Sequence, residues 1–535
     1  MFNFGSLLRQ HRTQQRMTQE TLAERSGLSS RSIGETERGR RIPRQQTVEQ
    51  LADALGLTGD TRATFLESVQ IQRWSTQLAP TRHAPAPVAR TSGPVPEPPD
   101  LSSGPSVPRQ LPGDLPDFVG RTEELQRLVS ALDPANGGNH MVSISGATGM
   151  GKTALAVHLA HRIAAWYPDG QLYVPLGGSG PGPLAPADVL AHLLRSVTAA
   201  DYPGYADPAL RGTAFRAALA DKQVLLVLDD AAGYTHLAPL LATGRSAVVI
   251  TSRLPLTGLP VAATVNLRSL PVTDSLRLLS RIADERRILE EGAAATELVH
   301  MCGGHPLAIR ILGARLAARP DWTVGGLRGQ LADEQHRLDE LRHGDLAVRP
   351  ALEQVYRRLT PAAARAFALL GGLPVHPFPE WVSTVLLGLD RPAGSAVLQE
   401  LLDTRLLEPA GLDGVALPRY RFHEVVRLLA RERHAGLTPH ERRAAFSRLV
   451  EAGTLLARVA HEHLRQAGTG GRDSSDEPRC AERMSELVAR RPRAWFAADR
   501  EVLSGLVEIC DATELRESAG VLHAKVVELQ HLLDG

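Results

Sequence analysis

The sequence predicts a multidomain protein of α and α/β class, and three observations lead there. Four short apolar runs rich in β-branched residues, MVSIS (141–145), QLYVPL (171–176), VLLVLDD (224–230) and SAVVITS (246–252), are separated by helical stretches. Continuous apolar strands between helices indicate a parallel sheet covered on both faces. Residues 4–66 carry only short helical periodicities, which predict an all-α head of five short helices, and after about residue 265 strand signals fade into Leu/Ala/Arg-rich helix. Between head and sheet lies a stretch, 76–116, dominated by Pro, Ser, Gly and Ala. Such a composition buries too little apolar surface to order itself, and its prolines favour extended backbone, so it reads as a tether reaching as far as ~100 Å.

Composition narrows the function classes. A chain of 535 residues has material for several domains. Its 60 basic and 59 acidic residues rule out a polycation, but residues 1–44 hold nine arginines against four glutamates. A nucleic-acid or membrane surface would therefore be met by the N-terminus. Cys302, Cys480 and Cys510 are scattered, with no CxxC pair and no metal-ligand spacing, which fits a reducing cytosol and argues against a disulfide framework. No apolar run approaches the roughly 18 residues of a membrane span, and no secretory signal opens the chain. A cytoplasmic protein without membrane contact is expected.

The chain has only three lysines, and one sits in Gly146-Ala147-Thr148-Gly149-Met150-Gly151-Lys152-Thr153. The octet fits GxxxxGK[ST] at every position, between an apolar strand and the helical stretch that opens at Thr153-Ala154. Glycine N–H groups and the helix N-terminus would cradle phosphates, the Lys152 ammonium would reach the β/γ oxygens of ATP or ADP, and the Thr153 hydroxyl can ligate Mg²⁺. The run VLLVLDD places a carboxylate at the sheet's C-terminal edge: Asp229 would hold Mg²⁺ and Asp230 would polarise an attacking water. The plainer reading of the pair is an acidic strand-end turn. VVITSR ends in Thr251, Ser252 and Arg253, which would sense a γ-phosphate.

In the head, Thr18 is placed to N-cap QETLAERSG, Gly27 suits the tight turn after it, and Ser29 can cap SRSIGETERG, which ends at Gly39. Leu22, Ala23, Leu28, Ile33 and Leu51 fall where a small core needs them. MTQETLAERSGLSSRSIGETERGRRIP resembles the Cro/repressor-type (Xre) helix-turn-helix, which implies a second helix in the DNA major groove. By position, Ser30, Arg31 and Glu35 would meet base edges, Arg31 pairing with a guanine. Gln19, and Arg40, Arg41 or Arg44, would bind phosphates. Any one of these arginines also reads as a solvated surface charge.

Residues 118–435 resemble the NB-ARC branch of the STAND NTPases, regulatory ATPases found in many actinobacterial regulators. The resemblance rests on motif order. Phe118-Val119-Gly120-Arg121 looks like the entry motif lying near adenine and ribose, and the phosphate loop, the Asp-Asp strand and the Thr-Ser-Arg strand follow it. Cys302-Gly303-Gly304-His305-Pro306-Leu307-Ala308 is similar to a CGGLPLA motif whose proline packs on the nucleotide, and this Pro306 also suits the first position of a helix. Arg421-Phe422-His423-Glu424-Val425 looks like the winged-helix motif whose histidine reaches the β-phosphate of ADP. Two departures stand out: His305 replaces the usual Leu, and Glu424 the usual Asp.

These readings divide the chain into a helix-turn-helix head (1–75), a tether (76–116), a P-loop nucleotide-binding domain (117–264), a helical domain (265–345), a winged helix (346–435) and a C-terminal helical region (436–535) at which a tetratricopeptide-like sensor would begin. The expected function is a nucleotide-switched transcription regulator binding double-stranded DNA. ADP would hold a resting state, ATP would drive self-association, and hydrolysis would be slow. The triggering small-molecule or protein signal is not legible. The alternatives are an immune-type signalling scaffold and an ATPase whose turnover is itself the function.

Overall fold

The structure, a computed structural model, describes residues 4–15, 17–37, 43, 45–57, 62, 65, 107–180, 182–198, 208–241, 244–466, 480–511 and 516–534. Most of the tether, the polar break GTGGRDSSDEP and the arginines Arg38, Arg40, Arg41 and Arg44 lie outside the described residues. The chain divides into two compact units, residues 1–103 and 104–535.

The head contains α1 (Phe4–Gln14), α2 (Gln19–Ser26), α3 (Ser30–Glu37) and α4 (Gln45–Ala54). Most of the stretch expected to form a fifth helix is outside the described residues. The caps are those the sequence implies. Thr18 Oγ1 accepts from the Thr21 amide at 3.1 Å, and Gly27 ends α2 in the left-handed region at φ 69°. Ser29 Oγ accepts from the Ser32 amide at 3.2 Å. Leu22, Ile33 and Leu51 are buried with Phe4, Leu8, Val48, Leu55 and Phe65, and Ala23 and Leu28 pack against them.

The second unit is organised round a five-stranded parallel sheet, with β1 (Met141–Gly146), β2 (Gly170–Pro175), β3 (Val224–Ala231), β4 (Ala247–Ser252) and β5 (Ala263–Leu267) in the order β2-β3-β4-β1-β5. β1 and β4 are buried along their whole length. One face packs on the helices Pro186–Thr198 and Pro208–Leu219 through Leu190, Leu193 and Phe215; the other packs on Thr122–Ala131 and Lys152–Ile163 through Leu128, Leu155 and Leu159. The sequence pattern missed β5. It is an edge strand with Thr264 and Asn266 exposed and Val265 and Leu267 buried, so it lacks the continuous apolar signature of its neighbours. It also carries the sheet across the boundary placed at 264.

Helices follow β5, from Val272–Ile282 through Pro306–Ala317 to Glu334–Glu340. The segment expected to be a winged helix holds helices Arg349–Tyr356, Pro361–Leu370, Glu380–Leu387, Arg391–Asp403 and Glu424–Ala435, with an antiparallel sheet of Phe378–Pro379, Pro418–Arg421 and Glu408–Leu412. Four more helices, Pro439–Gln466, Cys480–Arg490, Pro492–Asp511 and Arg516–Asp534, complete the described chain. One continuous apolar core joins these modules from Leu270 to Leu529. Among the described residues no helix is long and apolar enough to cross a membrane.

Candidate nucleotide pocket and helix-turn-helix face

The phosphate-loop residues form the loop their spacing requires. β1 ends at Gly146, where an added Cβ would lie 2.8 Å from the Leu267 carbonyl oxygen on β5. Gly149 (φ 77°) and Gly151 (φ 87°) take left-handed backbone, which glycine adopts at little cost. Gly151 precedes the helix Lys152–Ile163 and provides no side-chain cap, so the first backbone N–H groups of that helix point at whatever the loop encloses. Lys152 Nζ donates to the Ala147 carbonyl at 2.9 Å. Burial pushes this ammonium down to about 8; the Asp230 and Asp229 carboxylates oppose the shift, and Arg253 and Arg405 reinforce it.

That shift has a pH consequence. A bound phosphate stabilises the charged lysine and returns it toward its ordinary value of 10.5. Below about 8 the ammonium is already charged, and affinity should be flat with pH. Above it, binding must first recruit a proton, so affinity falls as pH rises, by about tenfold per unit. Calorimetry with ADP at pH 7 and pH 9, each in two buffers of different ionisation enthalpy, should show net proton uptake only at the higher pH. Equal affinity and no uptake at pH 9 would contradict the assignment.

The two acids of β3 have parted. Asp229 is buried and accepts hydroxyl hydrogen bonds from Thr153 (2.9 Å), Tyr173 (2.8 Å) and Thr251 (2.6 Å). The β3–β4 register shifts between Leu228 and Ala231, and Asp230 takes φ 57°. This irregularity turns the Asp230 carboxylate away from Asp229 and onto Ser179, whose amide and hydroxyl donate to it at 2.7 and 2.5 Å. Asp230 therefore holds the turn after β2. Arg253 donates to Gly178 of the same turn at 3.3 Å. Thr153 and Asp229 together offer the hard-oxygen donors a magnesium ion takes beside phosphates.

A cavity of about 270 Å³ opens at the loop. Val119, Arg121, Gly149, Met150, Gly151, Lys152, Thr153, Ala154, Pro306 and Leu307 all line it, so residues far apart in sequence meet as expected. Phe118 of the entry motif also lines it, and Leu115, Asp117, Leu270, Leu278 and Arg310, which sequence reasoning missed, complete the wall. Arg310 follows Pro306 by one helical turn and pairs with Asp117 at 2.6 Å; the i, i+4 spacing from the motif is the signal that could have found it. Gly120 (φ 67°) approaches Asp274 so closely that a Cβ would lie 2.6 Å from its carboxylate. Arg121 donates to the Arg268 carbonyl, and its burial, partly offset by Glu124, pushes its guanidinium down. Gly120, Gly146, Thr148, Arg253 and His423 are not among the cavity's lining residues.

The two motif histidines sit one behind the other. His305 is buried and caps Pro306–Ala317, its Nδ1 accepting from the Ala308 amide at 3.3 Å while its Nε2–H donates to the Thr148 carbonyl at 3.1 Å. The Leu307 amide donates to the Gly149 carbonyl at 3.2 Å. The histidine that stands where leucine was expected thus clasps the phosphate loop to the helical module. Burial and then His423 push it down to about 3, so it is neutral. His423 packs edge-on to it, with ring centres 5.4 Å apart. Its Nδ1 accepts from the Val425 amide at 3.2 Å, and its Nε2 faces the Gly303 carbonyl at 3.1 Å and the Ser269 hydroxyl at 2.7 Å. The histidine in contact with the loop is His305; His423 lies behind it. Glu424 closes over Gly303, where a Cβ would lie 3.1 Å from its side chain, and faces Arg427 at 3.7 Å.

On the head, Ser30 and Arg31 are exposed, and Arg31 faces Glu35 at 3.2 Å across one helical turn. Gln19 is engaged differently from its expected role. Its amide donates to Glu37 at 2.6 Å, and Glu37 also receives Arg12 at 2.6 and 3.2 Å. Gln19 and Arg12 thereby tie the start of α2 and the end of α1 to the end of α3.

Family models match a helix-turn-helix domain at residues 3–65 and an AAA ATPase domain at residues 117–235. The chain is 41% identical over 356 residues to the regulatory protein AfsR of Streptomyces coelicolor, covering 64% of this chain and 35% of that protein. It is 41% identical over 351 residues to AfsR of Streptomyces griseus, with the same coverage. The chain thus spans about a third of the length of these relatives. Among solved structures, a Signal Transduction ATPase with Numerous Domains (STAND) protein with a tetratricopeptide repeat sensor from Pyrococcus horikoshii matches 78% of this chain and 58% of its own, at 17% identity and a TM-score of 0.27.

Proposed function

We propose that this chain, which joins a helix-turn-helix domain to an AAA ATPase domain and is similar to actinobacterial regulators, is a DNA-binding transcription regulator switched by ATP and ADP. The observation that carries the reading is the shared cavity. The phosphate loop supplies one end, Val119 and Arg121 a second wall, and Pro306, Leu307 and Arg310 of the helical module a third. A ligand held there touches both the P-loop domain and the helical module, so exchanging it biases how the two pack.

Lys152 and the N-terminus of its helix hold the phosphates, and apolar Val119, Leu278 and Pro306 receive the base. Thr153 and Asp229 hold a magnesium ion, which supplies positive charge to the terminal phosphates. Arg253 senses the γ-phosphate and exchanges its hold on Gly178 for it. With ADP bound, His305 keeps the loop clasped to the helical module, and His423 supports that clasp from behind. ATP loosens the compact form and favours self-association, which raises the effective concentration of heads on DNA. Hydrolysis is slow, because Asp230 must release Ser179 before it can act on water. Purified protein, denatured and run on anion exchange, should release stoichiometric adenine nucleotide, chiefly ADP. Finding a guanine nucleotide, or none together with no uptake of added ADP, would overturn the reading.

The head reads DNA with α3. Ser30, Arg31 and Glu35 face base edges, and Arg40 and Arg41 bind backbone phosphates. Arg31→Ala removes a side chain that is 87% exposed, so the head should stay folded. Its loss should cost about 1–3 kcal/mol at the base pair Arg31 reads and relax preference there. A gel-shift series over single-base variants in which all sites weaken equally would make Arg31 a phosphate contact.

A further inference from the structure

Charge does not balance at the C-terminal edge of the sheet. Lys152 and Arg253 stand near Asp229 and Asp230, and two more arginines, Arg358 and Arg405, approach from the module behind. Arg358 is accounted for: it donates to the Gly178 carbonyl at 3.4 Å and to the Gly180 carbonyl. Arg405 is not. It lies within electrostatic reach of Lys152, and its Nε is buried without a hydrogen-bond partner. None of the hydrogen bonds or ion pairs among the described residues involves its guanidinium.

The backbone puts Arg405 in this place. It follows the helix Arg391–Asp403 at φ 59°, a left-handed position usually given to glycine or asparagine. The C-terminal end of that helix and Thr404 line a cavity of about 590 Å³ together with Gly178 and Arg253. The carboxylates of that helix end are engaged elsewhere. Glu400 accepts from the Thr360 amide and hydroxyl, both at 2.7 Å, and Asp403 accepts from Gln399 at 2.8 Å. A half-buried guanidinium with an unpaired N–H, within electrostatic reach of the Lys152 ammonium, is unfavourable until an anion joins them. A guanidinium also matches the geometry of a phosphate.

We propose that Arg405 reads the terminal phosphate of a bound nucleoside triphosphate, meeting it together with Lys152 and Arg253 and so fastening the helical module behind the sheet to the nucleotide. The inference rests on the nucleotide reading above. Its test compares the full chain with Arg405→Gly, which suits the left-handed backbone, and Arg405→Lys, which keeps the charge. Calorimetry with magnesium uses ADP and the β,γ-imido analogue of ATP. Arg405→Gly should weaken the triphosphate analogue at least tenfold while changing ADP less than threefold, and Arg405→Lys should recover part of the loss. Equal weakening of both nucleotides, a larger loss for ADP, or no change in either would overturn the assignment. Failure of the unaltered chain to bind either nucleotide would instead overturn the nucleotide reading itself.

Discussion

Lys152→Ala should abolish measurable nucleotide binding while leaving the fold intact. The ammonium is buried, and folding gains little from it, because its one hydrogen bond is to the Ala147 carbonyl and burial already pushes it down to about 8. Its removal relieves a desolvated cation. With nucleotide bound, the same ammonium would make charge-assisted hydrogen bonds to phosphate, each contributing about 1.5–3 kcal/mol. Two such bonds amount to a loss of at least about a hundredfold in affinity. Calorimetry with ADP should give no measurable heat of binding, and the thermal midpoint of the ligand-free variant should match or exceed that of the unaltered chain. Unchanged ADP affinity would remove the phosphate loop from the account.

Asp499→Ala should be strongly destabilising although it lies outside the pocket. Asp499 lies on the C-terminal helix Pro492–Asp511 and is fully buried. It accepts from Trp381 Nε1 at 3.0 Å and from Arg419, itself buried and paired to Asp413 at 2.9 Å. Burial pushes the Asp499 carboxyl up even beside Arg419, which shows how much desolvation this cluster bears. Removing the carboxylate leaves Arg419 half-paired and the indole N–H without a partner, a loss of about 3–5 kcal/mol. Asp499→Asn keeps an acceptor and should lose less. Urea denaturation followed by tryptophan fluorescence measures both, and a loss under about 1 kcal/mol for the alanine variant would show that this cluster does not hold the C-terminal helices to the module bearing Trp381.

The features legible in the sequence were those written in local spacing. Thr18, Gly27 and Ser29 cap or end their helices because capping depends on residues three or four positions away. The octet 146–153 forms its loop because a strand, three glycines and a helix stand in fixed order. The unread features are set by partners distant in the chain. The bond from His305 to Thr148 spans 157 residues, and that from Arg310 to Asp117 spans 193; helical spacing can point to Arg310, but nothing local names either distant partner. Asp229 and Asp230 look equivalent in VLLVLDD, but a left-handed residue at a bulge sends one carboxylate to Thr153 and the other to Ser179. Gln19 shows the same limit on the head, where Glu37 claims the amide that position alone assigned to DNA. β5 was missed because an edge strand needs only half of its side chains to be apolar.

Binding of the full chain to DNA, measured against the nucleotide it carries, tests the switch most directly. The protein is loaded with magnesium and either ADP or the β,γ-imido analogue of ATP, and titrated by fluorescence anisotropy against a duplex selected from random-sequence DNA. The triphosphate form should bind at least about tenfold more tightly, a coupling of about 1.4 kcal/mol. Affinities agreeing within about twofold, with both nucleotides shown to be bound, would mean that the pocket does not govern the head.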